Sequence, residues 1–456
     1  MNLDMTAAPT GARDEYIIGR GAAWFAFAMT MGLMLFDYID RQVIVSLFPY
    51  LKAEWALSDK QLGLLVSVVS VTVALGGLPV ALLADRYSRV KSIVAMATAW
   101  SLATISCMFA RSYGPLFVAR AVVGLGEAGY GSAGAALIAS VFPLRLRSAL
   151  LSAFFAAASV GSVLGVLLGG VIVTHWGWKA AFGAVGIPGL LLALMYLGVR
   201  DYRTVDLTPQ LTRATRSPGN ALTHIIGVLA RTRTLLWVCA GAAVQLIVVS
   251  AVWAWLPSYL NRVHGVPADQ AAIKAALVVL CGAAGTVVWG AVADRCAAVR
   301  ARFKLHVVAV LCVATTLVLL PTFGAHAAGF ALAPQTQFAL IALGGFLMTC
   351  SVGPAAAVVI DVAHPGVRAT GAAVLSLFQN LFGLAIGPFL AGALSDAFGL
   401  ESALTMISVL GVVSALLFVG AARSYETDMQ RFGGVRVESG LTTAAVVVSA
   451  AVGDTR

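Results

Sequence analysis

Five ionisable side chains lie inside stretches that are otherwise apolar: Asp37, Asp40 and Arg41 in the first such stretch, Arg120 and Glu127 in the fourth. A charged group in hydrocarbon costs at least about 2.5 kcal/mol, so those kept there face water, pair with one another or bind something. Asp37, Asp40 and Arg41 are spaced so that all three lie on adjoining parts of one helical face. Arg120 and Glu127 stand two turns apart on one face, with Tyr130 a further turn along. Such a set can do two kinds of chemistry. Arginine holds a carboxylate or phosphate through paired hydrogen bonds. Three acids against two arginines leave one negative charge in excess, which a bound proton removes. A carboxylate that loads a proton from one side and releases it to the other couples proton movement to a carried solute. Asp40, Glu127 and Asp37 are therefore the candidate proton-coupling groups, and Arg120 and Arg41 the candidate anion ligands. The alternative reading is a static ion-pair network joining two helices.

Other chemistry finds no support. None of His175, His224, His264, His306, His326 or His364 lies in a metal-binding or nucleophile-activating pattern, and the six cysteines form no CxxC pair. No phosphate-binding loop of the GxxxxGK[ST] type occurs. The expectation is a chain that is not an enzyme, with no metal, no cofactor and no ATP-driven pumping.

The elements that position these residues are membrane helices. The 456 residues are 60% hydrophobic and 11% charged, against about 25% charged in a soluble domain. Charge-free runs long enough to cross about 30 Å of hydrocarbon number twelve, so the expected fold is an all-α integral membrane protein of twelve transmembrane helices. Outside the spans, 22 Lys and Arg fall on one set of alternating loops and tails and six on the other: Lys52, Lys60, Arg111, Lys179, Arg262 and Lys274. Because basic residues are retained on the cytoplasmic face, both termini are expected on the cytoplasmic side of the cell inner membrane. The net charge of +10 is thereby explained by topology, and a nucleic-acid partner is excluded. The expected organisation is a cytoplasmic tail over 1–20, a six-helix bundle over 21–200, a cytoplasmic linker over 201–233, a second bundle over 234–424 and a disordered cytoplasmic tail over 425–456. Within the linker, Leu222, Ile225, Ile226 and Leu229 recur at helical spacing, as in a short interfacial helix or a lead-in to the seventh span.

The two halves repeat. Ala81-Leu-Leu-Ala-Asp85-Arg86-Tyr-Ser-Arg89 follows the second span, and Gly290-Ala-Val-Ala-Asp294-Arg295 follows the eighth. Gly161, Gly165, Gly169 and Gly170 of the fifth span align with Gly383, Gly387 and Gly392 of the eleventh, ladders that let neighbouring helices approach closely. Asp85 and Asp294 stand at the inner ends of helices, each followed by an arginine, where a carboxylate can cap a neighbouring helix N-terminus. Asp85, Arg86, Arg89, Asp294 and Arg295 are thus gating candidates.

These residues resemble the major facilitator superfamily, whose loop signature follows the second helix with Asp-Arg and further bases. Ala81 and Ser88 stand where that signature has glycines. Four stretches are similar to the bacterial Spinster-like branch: Asp37-Tyr-Ile-Asp40-Arg41-Gln, Ala119-Arg120 through Glu127-Ala-Gly-Tyr130, Trp255-Leu-Pro257 through His264-Gly, and Asn380-Leu-Phe-Gly through Pro388. The resemblance implies two pseudo-symmetric six-helix bundles, a central cavity lined by the first and fourth helices, and an Asp85 latch that closes the cytoplasmic side. It implies a monomeric secondary active transporter that moves a small organic, anionic or amphipathic solute by alternating access with protons, as in symport. Lipid or lysolipid export of the Spinster type is the alternative, followed by a transport-dead sensor. Partners are then the solute, protons and the bilayer.

Weaker solute-contact candidates are Tyr130, Gln245, Trp255, Gln379 and Asn380, while Arg262 and His264 read as outer-loop gating or interface anchors. Arg41 has two acids within one turn and is expected to be neutralised locally. The nearest acid on the helix of Arg120 is Glu127, about 10 Å along the axis at roughly 1.5 Å per residue. Arg120 is therefore expected to anchor the solute's anionic group, unless Asp37 or Asp40 reaches across to satisfy it.

Overall fold

The computed structural model describes residues 16, 18–86, 88–200, 232–325, 330, 332–362 and 368–432. Every regular element among them is a helix, and eleven are long and apolar enough to cross a membrane. One of these, Ala149–Gly198, contains Gly177 at φ 79° and ψ 166°, a conformation that breaks a helix and suits a residue without Cβ. Divided there, it supplies spans 5 and 6, and the crossings number twelve. Span 1 is Arg20–Trp55, span 4 Tyr113–Val141, span 7 Arg233–His264, span 8 Ala268–Ala297, span 9 Phe303–Gly324, span 10 Pro334–Val362, span 11 Gly371–Phe398 and span 12 Leu400–Gln430. Spans 2 and 3 are Asp59–Arg86 and Arg89–Cys107.

Sequence chemistry sets several helix ends. Ser58 accepts from the Gln61 amide at 3.2 Å while Gln61 Oε1 accepts from the Ser58 amide at 3.0 Å, a reciprocal cap that starts span 2. Ser88 caps span 3 by accepting from the Lys91 amide at 3.2 Å. Gly265, at φ 63°, ends span 7. Span 12 differs from expectation: its helix runs on to Phe432, past residue 424, because Tyr425 is buried and donates to Asp361 at 2.7 Å. Asp428 also accepts from the Thr234 amide at 3.0 Å. The 222–229 segment, residues 433–456 and most of the linker lie outside the described residues.

The two glycine ladders do equivalent work in the two halves. A Cβ at Gly161, Gly165 or Gly169 would lie 2.5–2.6 Å from the carbonyl oxygens of Leu35, Ile39 and Val43 in span 1. In the other half, a Cβ at Gly387 would lie 2.6 Å from the Ile247 oxygen of span 7. The last rung of each ladder crosses between halves, Gly170 onto Ala272 and Gly392 onto the Asp59 carbonyl. In lipid, where apolar burial between helices drives little, such close backbone contact is a main source of association.

Buried apolar side chains form three clusters. One joins both halves at the end carrying few basic residues and includes Phe48, Leu62, Phe182, Trp255 and Tyr259. The other two belong to one half each, around Phe27, Tyr130 and Phe142, and around Val238, Val359 and Phe418. Asp59 and Lys60 of one half are bonded to Arg262, Ser395 and Asp396 of the other at the same base-poor end. The halves are thus joined at that mouth.

Backbone crowding at the first ladder predicts that Gly165→Ala lowers the thermal midpoint in detergent, by the ~1–3 kcal/mol typical of overpacking. Gly131→Ala, where a Cβ meets nothing within 4 Å, should leave it within about a degree. Equal midpoints for the two variants would contradict this packing.

Candidate functional site

Span 1 is helical through Val43 and tightens into a 3₁₀ turn over Ile44–Leu47, one residue-pair beyond Arg41. Span 4 is interrupted directly after Glu127: Ala128 is extended and Gly129 left-handed at φ 82° before the helix resumes at Tyr130. The glycines of Gly124-Leu-Gly-Glu-Ala-Gly-Tyr-Gly permit both this break and close packing. Gly126, for instance, lies against the Trp100 backbone.

All five charged residues come together here, with one pair across helices and one within span 1. Asp40 is joined to Arg120, with Nη1 3.2 Å from Oδ1 and 3.3 Å from the Asp40 carbonyl. Its other carboxylate oxygen accepts from Thr104 of span 3. Arg120 is 0% exposed, and its Nε and Nη2 find no protein acceptor among the described residues. Arg41 Nε donates to Asp37 at 2.9 Å and lies 3.0 Å from Glu127 Oε2. That nitrogen has one hydrogen, so Glu127 is close to the charge without accepting a hydrogen bond. Both Glu127 oxygens are buried without a donor. Arg41 is the most open of the five, its side chain 17% exposed against 4% or less for the others, and it lies over the Tyr38 ring at 5.2 Å. No described protein group accepts from its two terminal nitrogens.

This arrangement reverses one expectation. Asp40 satisfies Arg120, not Arg41, because an interhelical contact of 3.2 Å outweighs nearness in sequence. Arg120 is sealed in, and Arg41 is the arginine with surface to offer.

Other predicted residues divide sharply. Tyr130 is 0% exposed, donates to the Thr30 carbonyl at 2.5 Å and packs on Trp100. Gln245 is equally buried and donates to the Met348 carbonyl at 3.0 Å, tying span 7 to span 10. Trp255 donates to the Pro388 carbonyl at 3.0 Å and packs on Phe48 at 5.1 Å, which puts it in the closed mouth. These three hold structure and leave no surface for a solute in this state. Gln379 and Asn380 remain part-exposed on a π-helical turn, Gln379–Leu384, a feature that often marks function. Arg89 donates to Ser140 at 3.0 Å. Asp294 is exposed and pairs with Lys304 of its own half at 3.1 Å, and Arg295 is exposed. The Asp85 and Arg86 side chains lie outside the described residues.

The family model of the Major Facilitator Superfamily matches residues 30–383. The chain belongs to that superfamily. Among its relatives, an MFS-type efflux pump of Mycolicibacterium smegmatis is 28% identical over 444 residues, covering 94% of this chain and 99% of the relative. Protein spinster homolog 3 of Danio rerio is 25% identical over 440 residues, covering 88% and 85%. A crystal structure of a bacterial homolog to the human lysosomal transporter Spinster, inward-facing and unoccupied, aligns with a TM-score of 0.78 at 22% identity over 90% of this chain and 99% of that one, which shows the shared fold. The superfamily and the Spinster-like branch read from the loop signature and the four stretches are borne out.

Sequence reasoning singled out Arg262 at the base-poor end but missed Thr104 and the groups that Arg262 meets there, Asp59, Ser395 and Asp396. Thr104 carries no signal in a span rich in Ser and Thr, and Asp59 and Asp396 are too far apart in the chain to form a visible pattern.

The Asp40–Arg120 pair makes a stability prediction. Asp40→Asn leaves a buried, uncompensated guanidinium and should cost about 3–5 kcal/mol, seen as a lower thermal midpoint in detergent. Asp40→Asn combined with Arg120→Gln removes both charges and should recover most of the loss. A double variant no more stable than the single one would show that the pair is not the cause.

Proposed function

We propose that this superfamily member is a proton-coupled secondary transporter of a small organic anion, with Glu127 as the proton carrier and Arg41 as the solute's ligand. One observation carries the reading: Glu127 is a buried acid without a hydrogen-bond donor, beside an arginine whose Nε serves Asp37 and whose outer nitrogens are open. Asp37 and Arg41 cancel, as do Asp40 and Arg120, and Glu127 is the charge left over. It also ends a helix, at the negative end of the dipole. A proton there removes the excess charge and frees Arg41 for a carboxylate or phosphate bound in two-pronged fashion. Releasing the proton restores Glu127 as a competitor for Arg41 and expels the anion. Solute and proton therefore travel together, which is the logic of symport. Gln379 and Asn380 are the contacts we assign to the opposite half.

Asp37 and Asp40 act in this scheme as fixed partners. The charge bias supports cytoplasmic termini in an inner membrane, which makes the base-poor mouth the outer one and this conformation inward-facing. The bundle needs no second copy to complete the site, consistent with a monomer.

Purified protein screened for thermal stabilisation by organic carboxylates, lysophospholipids and neutral sugars identifies the ligand class, because binding raises apparent stability by mass action. Carboxylates should stabilise; stabilisation by sugars alone would overturn the anion reading, and lysophospholipids alone would direct it to phosphate-bearing lipids. In proteoliposomes with that ligand, one pH unit across the membrane should support about tenfold accumulation at one proton per solute. Glu127→Gln should abolish accumulation and keep counterflow exchange. Arg41→Lys retains charge but loses the planar fork, and should weaken affinity at least about tenfold with the thermal midpoint near wild type. Undiminished accumulation by Glu127→Gln would refute the coupling role.

A further inference from the structure

The N-terminus of span 2 raises an accounting question. A helix start leaves its first amides without intrahelical acceptors, and the first intrahelical bond here is from Leu62 to the Ser58 carbonyl at 3.2 Å. The Gln61 amide is met by Ser58 Oγ. The remaining two, those of Asp59 and Lys60, donate to Asp396 Oδ1 and Oδ2 at 2.8 and 2.9 Å. Asp396 lies in the last turn of span 11, in the other half of the molecule. Span 2 is thus capped by a carboxylate that moves with the opposite bundle.

The contact continues on the side chain. Asp59 Oδ1 and Oδ2 accept from Arg262 of span 7 at 2.9 and 2.7 Å, and Oδ2 accepts from Ser395 Oγ at 2.6 Å. Lys52 adds a second cation at 2.6 Å from within the same half as Asp59. Such close approach is possible because Gly63 faces the Pro388 carbonyl and Gly392 the Asp59 carbonyl, where any Cβ would collide. A cleft of about 490 Å³, bordered by Asp59, Arg262, Ser395, Phe398 and Leu400, opens at the seam, so these groups can hydrate when they separate.

We propose that Asp396 is the closing latch of the base-poor mouth, forming its cap on span 2 only while the halves touch there. A rocking motion that opens this mouth carries Asp396 away from the start of span 2 and leaves the Asp59 and Lys60 amides to water. In this reading Asp59 has a double part: its amide is held by Asp396 and its carboxylate by Arg262, both from the opposite half.

The test measures distances between spin labels on cysteines placed at Ala53 and Gln270, across the base-poor mouth, and at Ala149 and Val299, across the other, in a background without the six native cysteines. It involves neither solute nor proton, so its outcome is independent of the transport assignment. Asp396→Ala should lower the ratio of closed to open base-poor mouths about tenfold, with a matching shortening at the other mouth. Asp396→Asn keeps one of the two accepting oxygens and should fall between wild type and Asp396→Ala. Because Arg262→Gln acts on the same seam from another residue, it should shift the ratio in the direction of Asp396→Ala. Unchanged distances in Asp396→Ala would overturn the proposal, as would a shift toward the closed base-poor mouth in that variant.

Discussion

An odd number of charges in a low-dielectric site is the constraint on which the rest of this molecule turns. Two ion pairs can be built from five charged groups, and the fifth must be hydrated, neutralised or matched by a ligand. Here the pairs are Asp37 with Arg41 and Asp40 with Arg120, and Glu127 is left within 3.0 Å of an arginine nitrogen already in use. The helix around it is not regular: span 4 breaks at Ala128 and Gly129, and span 1 changes pitch just beyond Arg41. Discontinuous helices at mid-membrane are where transporters place their sites, since an unwound turn leaves backbone and side chains free to meet a solute.

Charges elsewhere are arranged on a different principle. The central pairs lie within one half and need not break as the halves rock. Asp59 is shared between halves, held by Arg262 and Ser395 from the other side, and must be released for the base-poor mouth to open. The glycine ladders show the same division, their early rungs packing within a bundle and their last rungs across the seam. Rigid internal contacts and breakable seam contacts are the two things alternating access requires.

Much of this was legible in the sequence because membrane constraints act locally. Charge-free runs of helix-spanning length reveal the spans, basic residues betray the loops, and the matched ladders and the Asp-Arg copies reveal the duplication. Span 12 outruns its expected end because Tyr425, Asp428 and their partners Asp361 and Thr234 are distant in sequence. The same blindness affected the site: spacing along one helix paired Arg41 with Asp37 correctly, yet could not show that Asp40 faces Arg120 or that Glu127 shares Arg41. Tyr130 was assigned to the site because it continues the helical spacing of Arg120 and Glu127, and spacing could not show that its hydroxyl is taken by the Thr30 carbonyl of span 1. Asp59 and Asp396, separated by most of the chain, offered no pattern at all.

The central claim is that Glu127 carries the coupling proton. Infrared difference spectroscopy of the purified protein, taken across a pH titration with and without bound solute, reads the carbonyl stretch of a protonated carboxyl directly. The account predicts a protonated-carboxyl band that responds to both pH and solute and is lost in Glu127→Gln; in Asp37→Asn, where Arg41 is left for Glu127 alone, the band should shrink. A solute-sensitive band that survives in Glu127→Gln would contradict it.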